Sequence, residues 1–157
     1  MGALGAPCTP AGLDYSQVEG SIPRGVLIID TLKLAFLVAE AALDKKGHDP
    51  VLIHVEEFVS YADYVLLVTA NSAPQVDAIA QHCARVGKEA GHRALSIEGA
   101  GSGNRDWILV DFGDIVLHVF QRDARARFDL EGLWADAVQV PIPGVPRRVP
   151  NEYVASG

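Results

Sequence analysis

Asp111 and His118 are the residues of this chain that enzyme chemistry would first recruit, and with Ser72 they complete the residue types of a serine hydrolase triad. The nucleophile lacks its setting. Ser72 lies in no G-x-S-x-G elbow and no oxyanion-hole signature accompanies it, so acyl transfer is not expected. Asp111 and Asp114 resemble the paired carboxylates of a nucleotidyltransferase. Two metal-holding acids on one strand face should stand two residues apart, however, and these stand three apart across a turn, which suits a turn aspartate and a surface aspartate better. The run Gly99-Ala100-Gly101-Ser102-Gly103 invites a phosphate-loop reading. Such a loop must lead from a strand into a helix N-terminus, whereas here another strand follows, Asn104 replaces the third glycine, and no Gly-Lys-Ser/Thr occurs. The five histidines are scattered and His82-Cys83 point to different sides of a helix, so no set has zinc-ligand spacing. No catalytic residue, cofactor or metal ligand is therefore expected.

The element that must position Asp111 and His118 is the stretch Trp107 to Phe120, WILVDFGDIVLHVF. Gly113-Asp114 supplies a two-residue turn between flanks rich in β-branched and aromatic residues, which predicts a hairpin. Its register sets Phe112 opposite Ile115, Asp111 opposite Val116, Leu109 opposite His118 and Trp107 opposite Phe120. Strand side chains alternate, so Ile108, Val110, Phe112, Ile115, Leu117 and Val119 make an apolar core face. Trp107, Leu109, Asp111, Val116, His118 and Phe120 share the other. That face mixes aromatics with ionisable groups, the composition of a protein-binding anchor inside a polar rim. Asp111 and His118 are near enough in register for a direct bond without one being forced.

Around the hairpin, the chain alternates helices and strands. Leu32, Ala35, Phe36, Ala39 and Leu43 recur at helical spacing after a cap at Asp30 or Thr31, and Gly47 ends the helix. Val51–Val55 and Tyr61–Thr69 read as strands, the second apolar on both faces. Ser72 to Gln75 has capping-box spacing and opens a helix that buries Val76, Ile79, Ala80 and Cys83 and ends near Gly91. Leu95–Glu98 is a short strand before the hairpin. Arg122–Trp134 follows as one or two helical turns carrying Phe128, Leu130, Leu133 and Trp134, with Trp134 in the core. This order predicts an α/β fold, a mixed sheet of about five strands with flanking helices, and a crossover from the second strand to the third. Residues 1–29 read as a flexible N-terminal extension, 30–136 as the folded domain, and 137–157 as a Pro-rich tail with no core role.

A chain of 157 residues with 49% apolar composition can bury one good core. Its formal charge is -7, and residues 30–136 alone hold 17 acids and 10 bases. An acidic body is repelled by phosphate backbones and suits a basic protein partner. Two unrelated cysteines fit a reducing cytoplasm. No apolar run is long enough to span a membrane, and the first 29 residues resemble no targeting peptide.

Four segments then carry a resemblance: A-D-Y-V-L-L-V-T-A-N-S at 62–72, Q-V-D-A-I-A at 75–80, the hairpin at 107–120, and L-E-G-L-W at 130–134. Together they resemble the ribosomal silencing factor family, also called Iojap. The resemblance implies an α/β domain of nucleotidyltransferase-like topology without that fold's catalytic residues. It also implies binding to the large ribosomal subunit through its fourteenth protein, L14, which blocks joining of the small subunit and lowers translation when nutrients are short. A minor contact with ribosomal RNA and a homodimer in the free state are further expectations; an enzyme acting on nucleotides is the alternative. The expected partner-binding set is Asp63, Tyr64, Trp107, Asp111, Phe112, Gly113, Asp114, His118 and Phe120. Three positions depart from the family: Ala70 stands where Gly is usual, His54 where Asp is usual, and Arg127 where an aromatic often precedes Phe128.

Overall fold

The computed structural model describes residues 24–99 and 106–146, with side chains from Asp30 onward. The expected extension up to Pro23, most of the glycine-rich run and the tail beyond Pro146 lie outside the described residues. Helix α1 (Arg24–Asp44) leads into β1 (His48–His54) and β2 (Tyr64–Ala70). Helix α2 (Ala73–Glu89) follows, then β3 (Ser96–Glu98) and the hairpin of β4 (Trp107–Asp111) and β5 (Ile115–Gln121). Two short helices, α3 (Arg122–Phe128) and α4 (Leu130–Leu133), precede a final strand, β6 (Val138–Val140).

Among the described residues the strands form one six-stranded sheet in the order β3-β4-β5-β2-β1-β6. Only β2 and β5 pair in parallel; the other neighbours are antiparallel. β3 runs in the same sense as β2 but at the far edge, with β4 and β5 returning into the gap between them. The hairpin register is the expected one, with Trp107 opposite Phe120, Leu109 opposite His118 and Asp111 opposite Val116. Gly113 takes φ +97° at the turn, a conformation that favours glycine.

Both faces of the sheet are covered. α1 and α2 lie on one face, over Leu66, Val68, Ile108, Val110, Phe112, Ile115, Leu117 and Val119. On the other, Val51, Ile53, Val55, Val65, Leu67 and Phe120 are closed by Ala124 and Trp134. β2 is buried along its whole length, as its two-sided apolar pattern requires. Gly47 allows the close approach of α1 to β1, since a Cβ there would meet the Ala42 carbonyl and a Val68 methyl, each at 2.8 Å. The capping box forms with a shift of one residue. Gln75 N donates to Ser72 Oγ, while the Gln75 side chain accepts from Asn71 N and donates to the Lys45 and Lys46 carbonyls, tying α2 to the end of α1.

Three expectations need correction. α1 begins at Arg24, six residues before Asp30, and its buried stripe includes Leu34, Val38, Ala41 and Ala42, whereas Leu43 is 36% exposed. The sheet has six strands, because Leu52, Ile53 and His54 pair with β6. That strand, the buried Ile142 and Val145 packed against the core give the proline-rich stretch a core role up to Val145, the first proline falling just after the three paired residues.

Candidate functional site

The nine expected site residues separate into two groups at opposite ends of β5. Asp63, Tyr64, Asp111, Phe112, Gly113 and Asp114 gather at the hairpin turn, because Tyr64 is in register with Ile115. Trp107, His118 and Phe120 lie at the other end. Trp107 faces Phe120, five residues beyond Ile115, so the ends stand roughly 17 Å apart at strand rise. One anchor ringed by all nine residues is therefore not what the fold builds.

At the turn end, backbone bonds set the arrangement. Asp114 carbonyl accepts from Asp63 N at 2.8 Å and from Tyr64 N at 3.1 Å, which locks the start of β2 to the hairpin. Asp111 Oδ1 accepts from Gly113 N at 2.8 Å, an Asx turn that occupies this carboxylate locally. Asp111 thus pairs with its own turn, and the bond to His118 does not form. Tyr64 is only 5% exposed, its ring stacked on His54 at 4.8 Å. Its hydroxyl pKa is raised by burial and then by the charges of Asp63 and Glu56. Phe112 is buried in the core and presents no side chain to a partner. What this end does present is acidic and aromatic: Asp114, Glu56 and Glu57 are exposed, as are Phe58 at 51% and Tyr61 at 59%. Across the turn stands Leu95, 72% exposed; a methyl group on Gly113 would come within 3.6 Å of it.

At the far end the mixed face is mostly closed by α3. Phe120 is fully buried and His118 is 5% exposed. Trp107 is half-buried and donates its indole N–H to His118 Nδ1 at 3.0 Å, which assigns the neutral imidazole proton to Nε2. The indole ring also lies 5.7 Å from Phe120 and 4.6 Å from Phe128, which is itself 45% exposed and carries the Arg127 guanidinium 5.1 Å from its ring centre. The exposed aromatic surface at this end is therefore Trp107 with Phe128 and Arg127. Neither Phe128 nor Arg127 was separable from ordinary helical residues by spacing. The signal that could have found them is contact: β5 runs straight into α3, which folds back over Trp107.

Burial holds the His118 pKa at about 4, against an ordinary 6.5. The unfolded chain then binds the extra proton between those values while the folded chain does not, so stability is complete above pH 6.5 and is lost as pH falls toward 4. The shift corresponds to a loss of up to about 3 kcal/mol. His118→Gln, which still offers an acceptor to Trp107, is expected to lose less stability than the parent chain between pH 7 and 4.5. Parallel urea melts check this, and equal losses in both chains would reject it.

Burial also pushes the Cys83 thiol up to about 12, so this cysteine is inert at neutral pH. Among the described residues, no three His, Cys, Asp or Glu side chains converge on a point that could hold a metal ion, and no helix is long and apolar enough to cross a membrane.

Comparison with known proteins adds the family. Residues 29–155 match the family described as ribosomal silencing factor during starvation. The chain is 38% identical over 113 residues to the ribosomal silencing factor of Halalkalibacterium halodurans, covering 72% of this chain and 95% of that protein. It is 39% identical over 101 residues to that of Bacillus subtilis, covering 64% and 84%. A crystal structure of a Chromobacterium violaceum protein, 34% identical, superimposes with a TM-score of 0.63 over 76% of this chain and 96% of that one.

Proposed function

Because the chain belongs to the ribosomal silencing factor family, we propose that it binds the large ribosomal subunit in the cytoplasm through the subunit's fourteenth protein. By doing so it blocks joining of the small subunit and represses translation when nutrients are limiting. The observation that carries this reading is the family match across residues 29–155. The charge distribution supports it. The turn end exposes Asp114, Glu56 and Glu57 beside the aromatics Phe58 and Tyr61. Such a surface attracts a basic protein and repels nucleic acid, so any contact with ribosomal RNA is minor. At the other end, Trp107 and Phe128 offer a rigid aromatic surface of the kind that concentrates binding energy.

The action is stoichiometric rather than enzymatic. A nucleotidyltransferase would need two carboxylates free to share a metal, and Asp111 instead holds the Gly113 amide of its own turn. Purified protein is expected to co-sediment with isolated large subunits and not with small ones, and to prevent their joining at near-equal molar ratio. Equal pelleting with either subunit, or joining unaffected at excess protein, would defeat the proposal.

In the free state the protein forms a homodimer that covers part of the same surface, since exposed aromatics left bare favour self-association. Light scattering at micromolar concentration should give twice the 16.8 kDa chain mass; a monomer alone would refute the dimer and leave the ribosomal role standing.

A further inference from the structure

Among the described residues, most of the large apolar side chains that stand exposed gather at the hairpin-turn end of the sheet: Leu95, Val138, Tyr61 and Phe58, each more than half exposed. Pairing puts them there. Leu95 precedes β3 and donates its N–H to the Asp111 carbonyl at 2.6 Å, Val138 opens β6 opposite His54, and Phe58 and Tyr61 lie in the loop from β1 to β2. That loop is tied down. Val55 N donates to the Asp63 carbonyl at 2.9 Å, the Phe58 and Val59 amides both donate to the Val55 carbonyl, and Val55 is buried in the core with Val59 packed beside it. Its own bonds thus set the backbone that presents the two aromatics to solvent. An exposed apolar patch built in this way marks an interaction surface.

The charge around the patch indicates what covers it. From Gly47 to Ala84 and from Asp106 to Gln121 the chain contains no lysine or arginine. The β1–β2 loop and the hairpin therefore bring acids alone: Glu56, Glu57 and Asp114 are exposed, and Asp63 and Asp111 are half-buried. Arg93, two residues before Leu95, adds a single positive charge at the margin. Such a field repels nucleic acid. A second copy would set the same acids against these, whereas the Trp107 end exposes both signs, with Arg127 3.6 Å from Asp106, and suits self-association better.

We propose that the turn end docks an extended polypeptide segment rich in lysine and arginine with aliphatic side chains between them, a contact separate from the one at Trp107. The aliphatic groups cover Leu95, Tyr61, Phe58 and Val138, while the basic groups meet Glu57 and Asp114. Leu95 and Val138 belong to opposite edges of the six-stranded sheet, about 24 Å apart at ordinary strand spacing, which about seven extended residues span. Because the two ends of β5 are well separated, this end stays open when a second copy covers Trp107. In the ribosomal reading it supplies a second basic contact, but the surface does not depend on that reading.

The test follows the full chain by methyl NMR at physiological salt, with a synthetic octapeptide alternating lysine with leucine or valine as probe. Expected are shifts of the Leu95 and Val138 methyl signals and an affinity that falls as salt rises. An octapeptide alternating lysine with serine should bind at least about tenfold more weakly, and so should the first probe to a chain carrying Glu57→Lys and Asp114→Lys together. Both substituted side chains are exposed, so the fold should survive, and Phe128→Ala should leave the affinity unchanged. Shifts centred instead on Leu43 or Leu133, no binding, or equal affinity for the doubly substituted chain overturns the proposal. So do the same shifts with a uridine octamer, which would make the occupant RNA, or on dilution of the chain alone, which would make it a second copy. The probe contains nothing ribosomal, so failure to co-sediment with large subunits would defeat the ribosomal role and leave this result untouched.

Discussion

Arg125→Ala is expected to cost about 3 kcal/mol or more of folding stability. Arg125 is 1% exposed, yet it sits among short polar contacts that join three elements. Its Nε donates to Glu131 Oε1 of α4 at 3.0 Å, and its Nη1 donates to the Asp49 carbonyl of β1 at 2.7 Å and to Thr69 Oγ1 of β2 at 2.6 Å. Asp49 can offer that carbonyl because it lies in an irregular step of β1. The four residues from His48 to Val51 there oppose the three from Thr69 to Leu67, and Asp49 takes φ +54°. Removing one partner of a buried ion pair leaves the other uncompensated, at a typical cost of 3–5 kcal/mol. Glu131 is 17% exposed on its side chain and can regain some water, which places the expected loss near the lower bound. Arg125→Lys keeps the charge but not the fork that reaches Asp49 and Glu131 together, and should recover only part of the loss. Urea unfolding of the three proteins checks this through the midpoint at constant slope. A loss below about 1 kcal/mol for Arg125→Ala would mean the cluster is a neutral substitute for apolar packing.

Arg125 also marks where sequence reading stops. As one of three arginines between Gln121 and Phe128 it has the look of a solvated charge, and its partner Glu131 is six residues on, a spacing that a continuous helix would place on different sides. The two meet because Asp129 adopts a left-handed conformation, φ 46°, and breaks the segment into α3 and α4. The hairpin was legible for the contrasting reason that a two-residue turn leaves no freedom of register. β2 was legible because burial on both faces makes the strand apolar at nearly every position, Thr69 being the exception. Closure of the mixed face was not. Strand alternation reports which side chains share a side, but Phe120 is buried against Ala124 of α3 and Trp134, whose packing no local pattern encodes. β6 escaped notice because three paired residues just ahead of a run of prolines carry too little periodicity to register. The placement of Asp63 and Tyr64 beside the hairpin turn follows from the parallel pairing of β2 with β5, a long-range fact.

Trp107→Ala is expected to lower affinity for the large subunit at least about thirtyfold, the effect of removing about 2 kcal/mol from a binding hot spot. Under the proposed role this residue is an anchor, and its contacts make it a support as well, so the same change should also destabilise the fold. The indole N–H is the donor to His118, and deleting it leaves a buried acceptor unsatisfied, a cost of about 1–3 kcal/mol. Two further variants separate the roles. Trp107→Phe retains an aromatic surface against Phe120 and Phe128 but lacks the donor, so it should lose stability while keeping most of the affinity. Phe128→Ala removes exposed aromatic area without touching the bond to His118, so it should lose affinity with only a small change in melting temperature. Thermal melting and large-subunit binding measured on all three decide between them. If Phe128→Ala and Trp107→Phe bind normally and Trp107→Ala binds in proportion to its folded fraction, Trp107 is a supporting core residue, and the contact surface moves to the acidic end, where Asp114, Phe58 and Tyr61 stand exposed.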